Sequence, residues 1–179
     1  VFQRPIKSQF KDYAFGILLD MSGSMIGMGG DLTHSKFAYA LRALHALTVA
    51  LKNCAIGSIH LAAFNQVYRE IPLAVALTSE RAIALSLMPE SMAEDYFGGN
   101  HYHFALRSMA KTLMQERGKQ KVMIVFSDGR PACEPGCYNP ACDSTEMLSK
   151  KLQAEIPKIR RRGIQVLALG LGYREVTRY

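Results

Sequence analysis

Two stretches of the chain, Tyr13 to Leu19 and Lys121 to Ser127, are apolar almost without a break and only seven residues long. Runs this short and continuous predict strands buried on both faces of a parallel sheet. Between them, Phe37, Ala40, Leu41, Leu44, Leu47 and Leu51 recur at helical spacing and predict a long helix over Thr33 to Asn53. Ser58 to Phe64 alternates, Asn65-Gln66 reads as a turn, and Val67 to Ile71 completes a hairpin. Its second strand stops at Pro72, which suits a sheet edge. A short helix is predicted over Glu80 to Leu87, after Thr78-Ser79 and before Pro89. Another runs from Tyr102 to Arg117, with Leu106, Met109, Ala110 and Leu113 inward. A helix over Thr145 to Arg162 contains Pro157, which predicts a kink or a split. Ile164 to Leu169 is the last strand.

This order of elements predicts an α/β fold: a doubly wound, mostly parallel sheet with helices on both faces and one antiparallel edge strand. Right-handed crossovers then place the strand ends at Asp20 and Asp128 on one edge of the sheet, where open α/β sheets bind ligands. With 179 residues, 49% of them hydrophobic, the chain is expected to form a single domain, residues 1–179. Its first residue is Val1, not Met, so a fragment of a longer protein is expected.

The formal charge of +7 and pI near 9.3 raise the question of an acidic partner such as nucleic acid. The basic residues are dispersed, however, except for Lys158, Arg160, Arg161 and Arg162. These end a predicted helix, where cations meet the negative end of its dipole. Without aromatic and basic interleaving, nucleic-acid binding is not expected. No apolar run approaches the roughly 20 residues of a membrane span, and no signal peptide opens the chain, so a cytoplasmic protein without a membrane partner is expected.

The candidate chemistry begins where the first strand ends, at Asp20-Met21-Ser22-Gly23-Ser24. A carboxylate followed by hydroxyls at i+2 and i+4 in an extended turn offers hard oxygen ligands to a divalent cation. Neither hydrolase nor phosphate-loop chemistry fits as well: Gly-x-Ser-x-Gly is absent here, and no Gly-Lys-Ser/Thr follows. The plain alternative is that these residues cap the next helix.

The Asp-x-Ser-x-Ser stretch resembles the metal-ion-dependent adhesion site of von Willebrand factor A domains. That resemblance implies two further loops. Asn100, after Gly98-Gly99, stands at the family's Thr position, and Asp128, closing the strand at Ser127, matches its later Asp. The expected metal set is thus Asp20, Ser22, Ser24, Asn100 and Asp128, holding Mg²⁺, or Mn²⁺ or Ca²⁺. A closer resemblance is to the C-terminal domain of the cobaltochelatase subunit CobT. It rests on Asp20 to Met25, Asn100 with Ala105-Leu106, Ser127-Asp128-Gly129-x-Pro131 with Asp143-Ser144-Thr145, and Leu169 to Gly172 running into Val176 to Tyr179. Where that branch has Asn-x-Asp-Gly-Glu-Ala-Leu, this chain has Asn100 followed by His101-Tyr102-His103-Phe104, and the acids are lost.

The resemblance implies a non-catalytic accessory subunit, working with a MoxR-type AAA+ ATPase and a client or chelatase large subunit in cobalt insertion for cobalamin biosynthesis. A partner's acidic side chain would complete the cation site. The competing functions are an extracellular adhesion-type domain and a metal-assisted hydrolase, the latter without a candidate general base.

The remaining polar and soft residues carry weaker signals. His101 and His103 would point about 200° apart at a helix start, so they are not expected to share an ion. Glu94 and Asp95 could supplement the cation but read as solvated loop residues. Met25, Ile26 and Met28 would either cover the site or the core, or form a contact patch. Cys54 reads as a buried small hydrophobe. Cys133, Cys137 and Cys142 lie in a loop of low apolar content. Their spacing leaves a Zn²⁺ site, a disulfide and free thiols all open.

Overall fold

A computed structural model of the chain describes residues 12–26, 34–54, 57–87, 100–117, 119–129, 131 and 144–171. The central strand is β1 (Tyr13–Asp20), flanked by β2 (Ser58–Phe64) and β4 (Gln120–Ser127). β3 (Tyr68–Ile71) lies outside β2, and β5 (Ile164–Gly170) lies outside β4. Every neighbouring pair is parallel except the β2/β3 hairpin. The doubly wound, mostly parallel sheet with one antiparallel edge strand is therefore the observed fold.

The continuous apolar runs follow from where the helices lie. Successive side chains of a strand point to opposite faces, so a strand covered on both sides must be apolar at every position. Ile17 and Leu19 of β1 join a core with α2 (Lys36–Asn53), α3 (Leu73–Thr78) and α4 (Glu80–Leu87). Ala14 and Leu18 join the opposite core with α5 (Tyr102–Gln115) and α6 (Thr145–Arg161). The single turn α1 (Gly23–Ile26) follows β1 and buries Met25 completely, so this methionine belongs to the core and not to a contact patch. The side chain of Ile26 and all of Met28 lie outside the described residues.

Helix ends follow local chemistry. Ser35 caps α2 by accepting the Ala38 N–H at 3.1 Å, and Ser144 caps α6 through the Met147 N–H at 3.2 Å. Asn65 accepts the Val67 N–H at 2.8 Å, an Asx turn that delays the second hairpin strand to Tyr68.

Three expectations are corrected. α3 was not predicted, because six residues starting after Pro72 are too few to show a periodicity. α6 is one helix through Pro157, not two; Pro157 and Gln153, the residue four before it, are both exposed, so the missing donor falls on the solvent side of the helix. Cys54 is exposed: it is the C-cap of α2, where its N–H bonds the Ala50 carbonyl at 3.0 Å and its side chain lies outside the core.

One residue sets how closely α5 approaches β1. A Cβ on Gly16 would lie 2.6 Å from Met109 Sδ and 2.7 Å from Met109 Cγ, with Leu113 Cδ1 at 3.1 Å. The obstructing atoms lie mid-chain in a residue that is itself fully buried, so they cannot simply rotate away. Gly16→Ala is expected to destabilise the domain by about 1–3 kcal/mol, the usual cost of overpacking. Urea unfolding checks this, and an unchanged midpoint would show that α5 does not rest on β1 as described.

Candidate metal centre

Asp20 is the last residue of β1, and the strand's alternation puts it on the same face as Gly16 and Leu18, toward α5. It is fully buried. Four donors surround it. The Ser22 N–H reaches Oδ1 at 2.8 Å, while Oδ2 accepts from Tyr102 Oη at 2.6 Å, Ser127 Oγ at 2.8 Å and Asn100 Nδ2 at 3.2 Å. The Tyr102 and Ser127 hydroxyls also touch each other, and Ser127 Oγ accepts the Gly129 N–H at 2.8 Å. Each carboxylate oxygen has about two lone-pair sites, so Oδ2, with three of the four donors, is fully engaged. Burial pushes its pKa up, and the bonds from Tyr102, Ser127 and Ser22 pull it back toward the ionised form. Tyr102 is held well above the usual phenol range, first by burial and then by the Asp20 charge, so it remains a donor.

Sheet register explains these contacts. Leu19 pairs with Phe126, so Asp20 and Ser127 are level on neighbouring strands. The Met21 N–H bonds the Phe64 carbonyl at 2.8 Å, tying the start of the loop to β2. Asn100 is delivered from the other side by the His101 N–H, which bonds the Asn65 carbonyl at 3.0 Å.

The serines extend the site outward. Ser22 is buried and Ser24 exposed, with their hydroxyl oxygens 3.1 Å apart. Ser24 sits on the single helical turn α1, not in the extended turn expected from sequence. The two hydroxyls still meet because Ser22 precedes that turn, its carbonyl accepting the Met25 N–H at 3.0 Å. Asp128 follows Ser127 and turns toward α2, where Lys36 Nζ reaches Oδ2 at 3.0 Å. Its side chain is only 5% exposed, and Oδ1 is buried with no hydrogen-bond partner among the described residues.

The structure therefore brings Asp20, Ser22, Ser24 and Asn100 into one hydrogen-bonded cluster and sets Asp128 on the same sheet edge. The donors are hydroxyl, amide and carboxylate oxygens, a set that suits a hard divalent cation, and the orphaned Oδ1 of Asp128 is the group most in need of one. Among the described residues, no three His, Cys, Asp or Glu side chains are grouped to hold a metal. Cys133, Cys137, Cys142, Glu94 and Asp95 lie outside those residues.

Sequence reasoning missed Tyr102, Ser127 and Lys36. Ser127 and Tyr102 each carried a weak sign, a polar group at an inward position of a buried strand or helix; Lys36 carried none. The expected 200° divergence of His101 and His103 also fails. His101 precedes α5 with non-helical backbone angles, φ −103° and ψ 68°, and the two ring centroids lie 6.0 Å apart.

A family model described as the von Willebrand factor type A domain matches residues 15–130. No curated protein matches the chain. Among solved structures, the chain is similar to the conserved hypothetical protein BatB from Bacteroides thetaiotaomicron, at 20% identity and a TM-score of 0.57, covering 88% of this chain and 66% of that one. It is similar to the pilus adhesin SpaC from Lactobacillus rhamnosus GG at 17% identity and a TM-score of 0.60, covering 89% and 24%. A third is proximal thread matrix protein 1 of the mussel byssus, solved with a zinc-occupied MIDAS motif, at 18% identity and a TM-score of 0.53, covering 90% and 38%. The chain thus spans from about a quarter to just under two thirds of these proteins.

Tyr102→Phe removes one donor from a buried carboxylate and is expected to cost about 1.5–3 kcal/mol, the range for hydrogen bonds to charged groups. Urea unfolding in EDTA checks this free of any bound cation. Equal stability of variant and wild type would mean that the hydroxyl does not hold Asp20.

Proposed function

The chain belongs to the von Willebrand factor type A domain family, and from that premise we propose that it is a divalent-cation-dependent protein-binding domain without catalytic activity of its own. The observation that carries this reading is the hydrogen-bonded cluster of Asp20, Ser22, Ser24 and Asn100 on the sheet edge where Asp128 also lies, with a carboxylate oxygen of Asp128 buried and unpartnered among the described residues. Oxygen donors of this kind favour Mg²⁺, with Mn²⁺ or Ca²⁺ as substitutes. The zinc-occupied MIDAS of the mussel protein supports the view that such sites accept divalent ions.

Within this reading, Ser22, Ser24, Asn100 and Asp128 hold the cation. Asp20, its Oδ2 already engaged by three donors, acts by orienting Asn100 and the Ser22 backbone, and reaches the ion through water. The bound ion supplies a positive charge on which an acidic side chain of a partner docks. Asp20 held by four donors is poorly placed to serve as a general base, which favours binding over hydrolysis.

The partner we propose is a MoxR-type AAA+ ATPase, acting with a client or chelatase large subunit, in the manner of a CobT-like accessory subunit. Support for this step comes from the four stretches of sequence resemblance alone. The lost acids at His101 to Phe104 favour a client other than the cobalt chelatase. An extracellular adhesion-type role would use the same edge with a different ligand. Among the described residues, no helix is long and apolar enough to cross a membrane.

The burial of Asp20 alters the choice of test. Asp20→Ala would orphan four donors at once, whereas Ser24 is exposed and, among the described residues, bonded only to the Ser22 hydroxyl. Ser24→Ala in the full-length protein is expected to weaken Mg²⁺-dependent capture of the ATPase by about tenfold, or about 1.4 kcal/mol, with an unchanged melting temperature. EDTA should release the ATPase from wild type. Capture that is indifferent to both EDTA and Ser24→Ala would refute the cation as the docking element.

A further inference from the structure

Lys36 is the first residue of α2, and its ammonium sits 3.0 Å from Asp128 Oδ2. Nothing about helix stability calls for a lysine there. The amino end of a helix carries partial positive charge and disfavours cations, and the capping position is already filled by Ser35. What the position does supply is a counter-charge. The Asp128 side chain is 5% exposed, and a buried carboxylate needs a cation or several donors to remain ionised. Asp20, on the other face of the same edge, is satisfied by four donors that carry no charge, so the two carboxylates are stabilised by different means.

We propose that Lys36 is a built-in competitor for the cation site, its ammonium and a divalent ion contending for the same Asp128 carboxylate, so that this side chain sets the affinity of the site. The inference rests on the cation reading above. A divalent ion bound at Asp128 would face an ammonium on the same carboxylate, and like charges at that separation repel strongly near a protein surface. The lysine has somewhere to go: its side chain is 30% exposed, and its long flexible stem can rotate while the Ser35 cap holds the backbone of α2. Loading the site would therefore release the Lys36 ammonium to solvent beside the bound ion, where it adds positive charge for an acidic partner. If Lys36 served only to pin α2 to β4, its loss would lower stability and leave cation affinity unchanged.

The test is Mn²⁺ titration of the full chain, followed by electron paramagnetic resonance, for wild type, Lys36→Met and Lys36→Arg. Lys36→Met is expected to bind Mn²⁺ about tenfold more tightly than wild type, while Lys36→Arg, which keeps the charge, stays close to wild type. In the wild-type protein, reaction of Lys36 with an amine-modifying reagent, read by mass spectrometry, should rise when Mn²⁺ saturates the site. Equal or weaker Mn²⁺ binding by Lys36→Met would overturn the inference while leaving the cation site standing. Absence of Mn²⁺ binding in all three proteins would overturn both. The labelling measurement needs no variant, and an Lys36 reactivity indifferent to Mn²⁺ would by itself overturn the competition.

Discussion

Asp20 occupies a place where an ionised carboxyl is expensive to keep. It is fully buried at the end of the central strand, and that burial drives its pKa upward. Removing a carboxylate from water costs several kcal/mol unless donors replace the lost hydration. Here the replacements come from four separate parts of the chain: the Ser22 backbone, Asn100, Tyr102 and Ser127. Each contact requires its own element to be in register. Tyr102 needs α5 seated against β1, Ser127 needs β4 paired with β1 level at Leu19 and Phe126, and Asn100 needs the bond from His101 to the hairpin turn. The close seat of α5 in turn depends on the missing side chain at Gly16.

The two carboxylates divide the edge of the sheet between its faces. Asp20 turns toward α5 and is held by uncharged donors; Asp128 turns toward Lys36 of α2 and meets a cation, with one oxygen unpartnered among the described residues. This asymmetry distinguishes a group that organises the site from a group that can still take a ligand. In the proposed cation-binding reading, Asp128 would be the carboxylate that meets the ion, and Ser22, Ser24 and Asn100 would supply neutral oxygens.

Much of the fold was legible because burial on both faces writes itself into sequence. The unbroken runs of β1 and β4 and the helical spacing in α2 and α5 report which sides are covered, whatever the topology. α3 and the exposed Cys54 were not legible, since six residues show no period and a cap residue's exposure depends on what packs above it. Pro157 does not split α6, because the local rule about helices ignores which side faces water. Among the proposed ligands, Asp20, Ser22 and Ser24 were legible as a linear motif, and Asn100 and Asp128 through the family resemblance. Tyr102, Ser127 and Lys36 acquire their roles only when strand register and helix phase bring them to a carboxylate far away in sequence. Tyr102 lies 82 positions from Asp20, and Lys36 lies 92 from Asp128.

The central claim is that these loops together hold one divalent ion with a position open to a partner. Crystals of the full chain grown with Mn²⁺, measured for anomalous scattering, test it most directly. The expected result is a single peak bonded at about 2.2 Å to hydroxyl oxygens of the serines, with Asp128 nearby and Asp20 still bound to Tyr102 and Ser127. Saturating Mn²⁺ that gives no peak at this edge, or a peak bound elsewhere on the domain, would contradict the account.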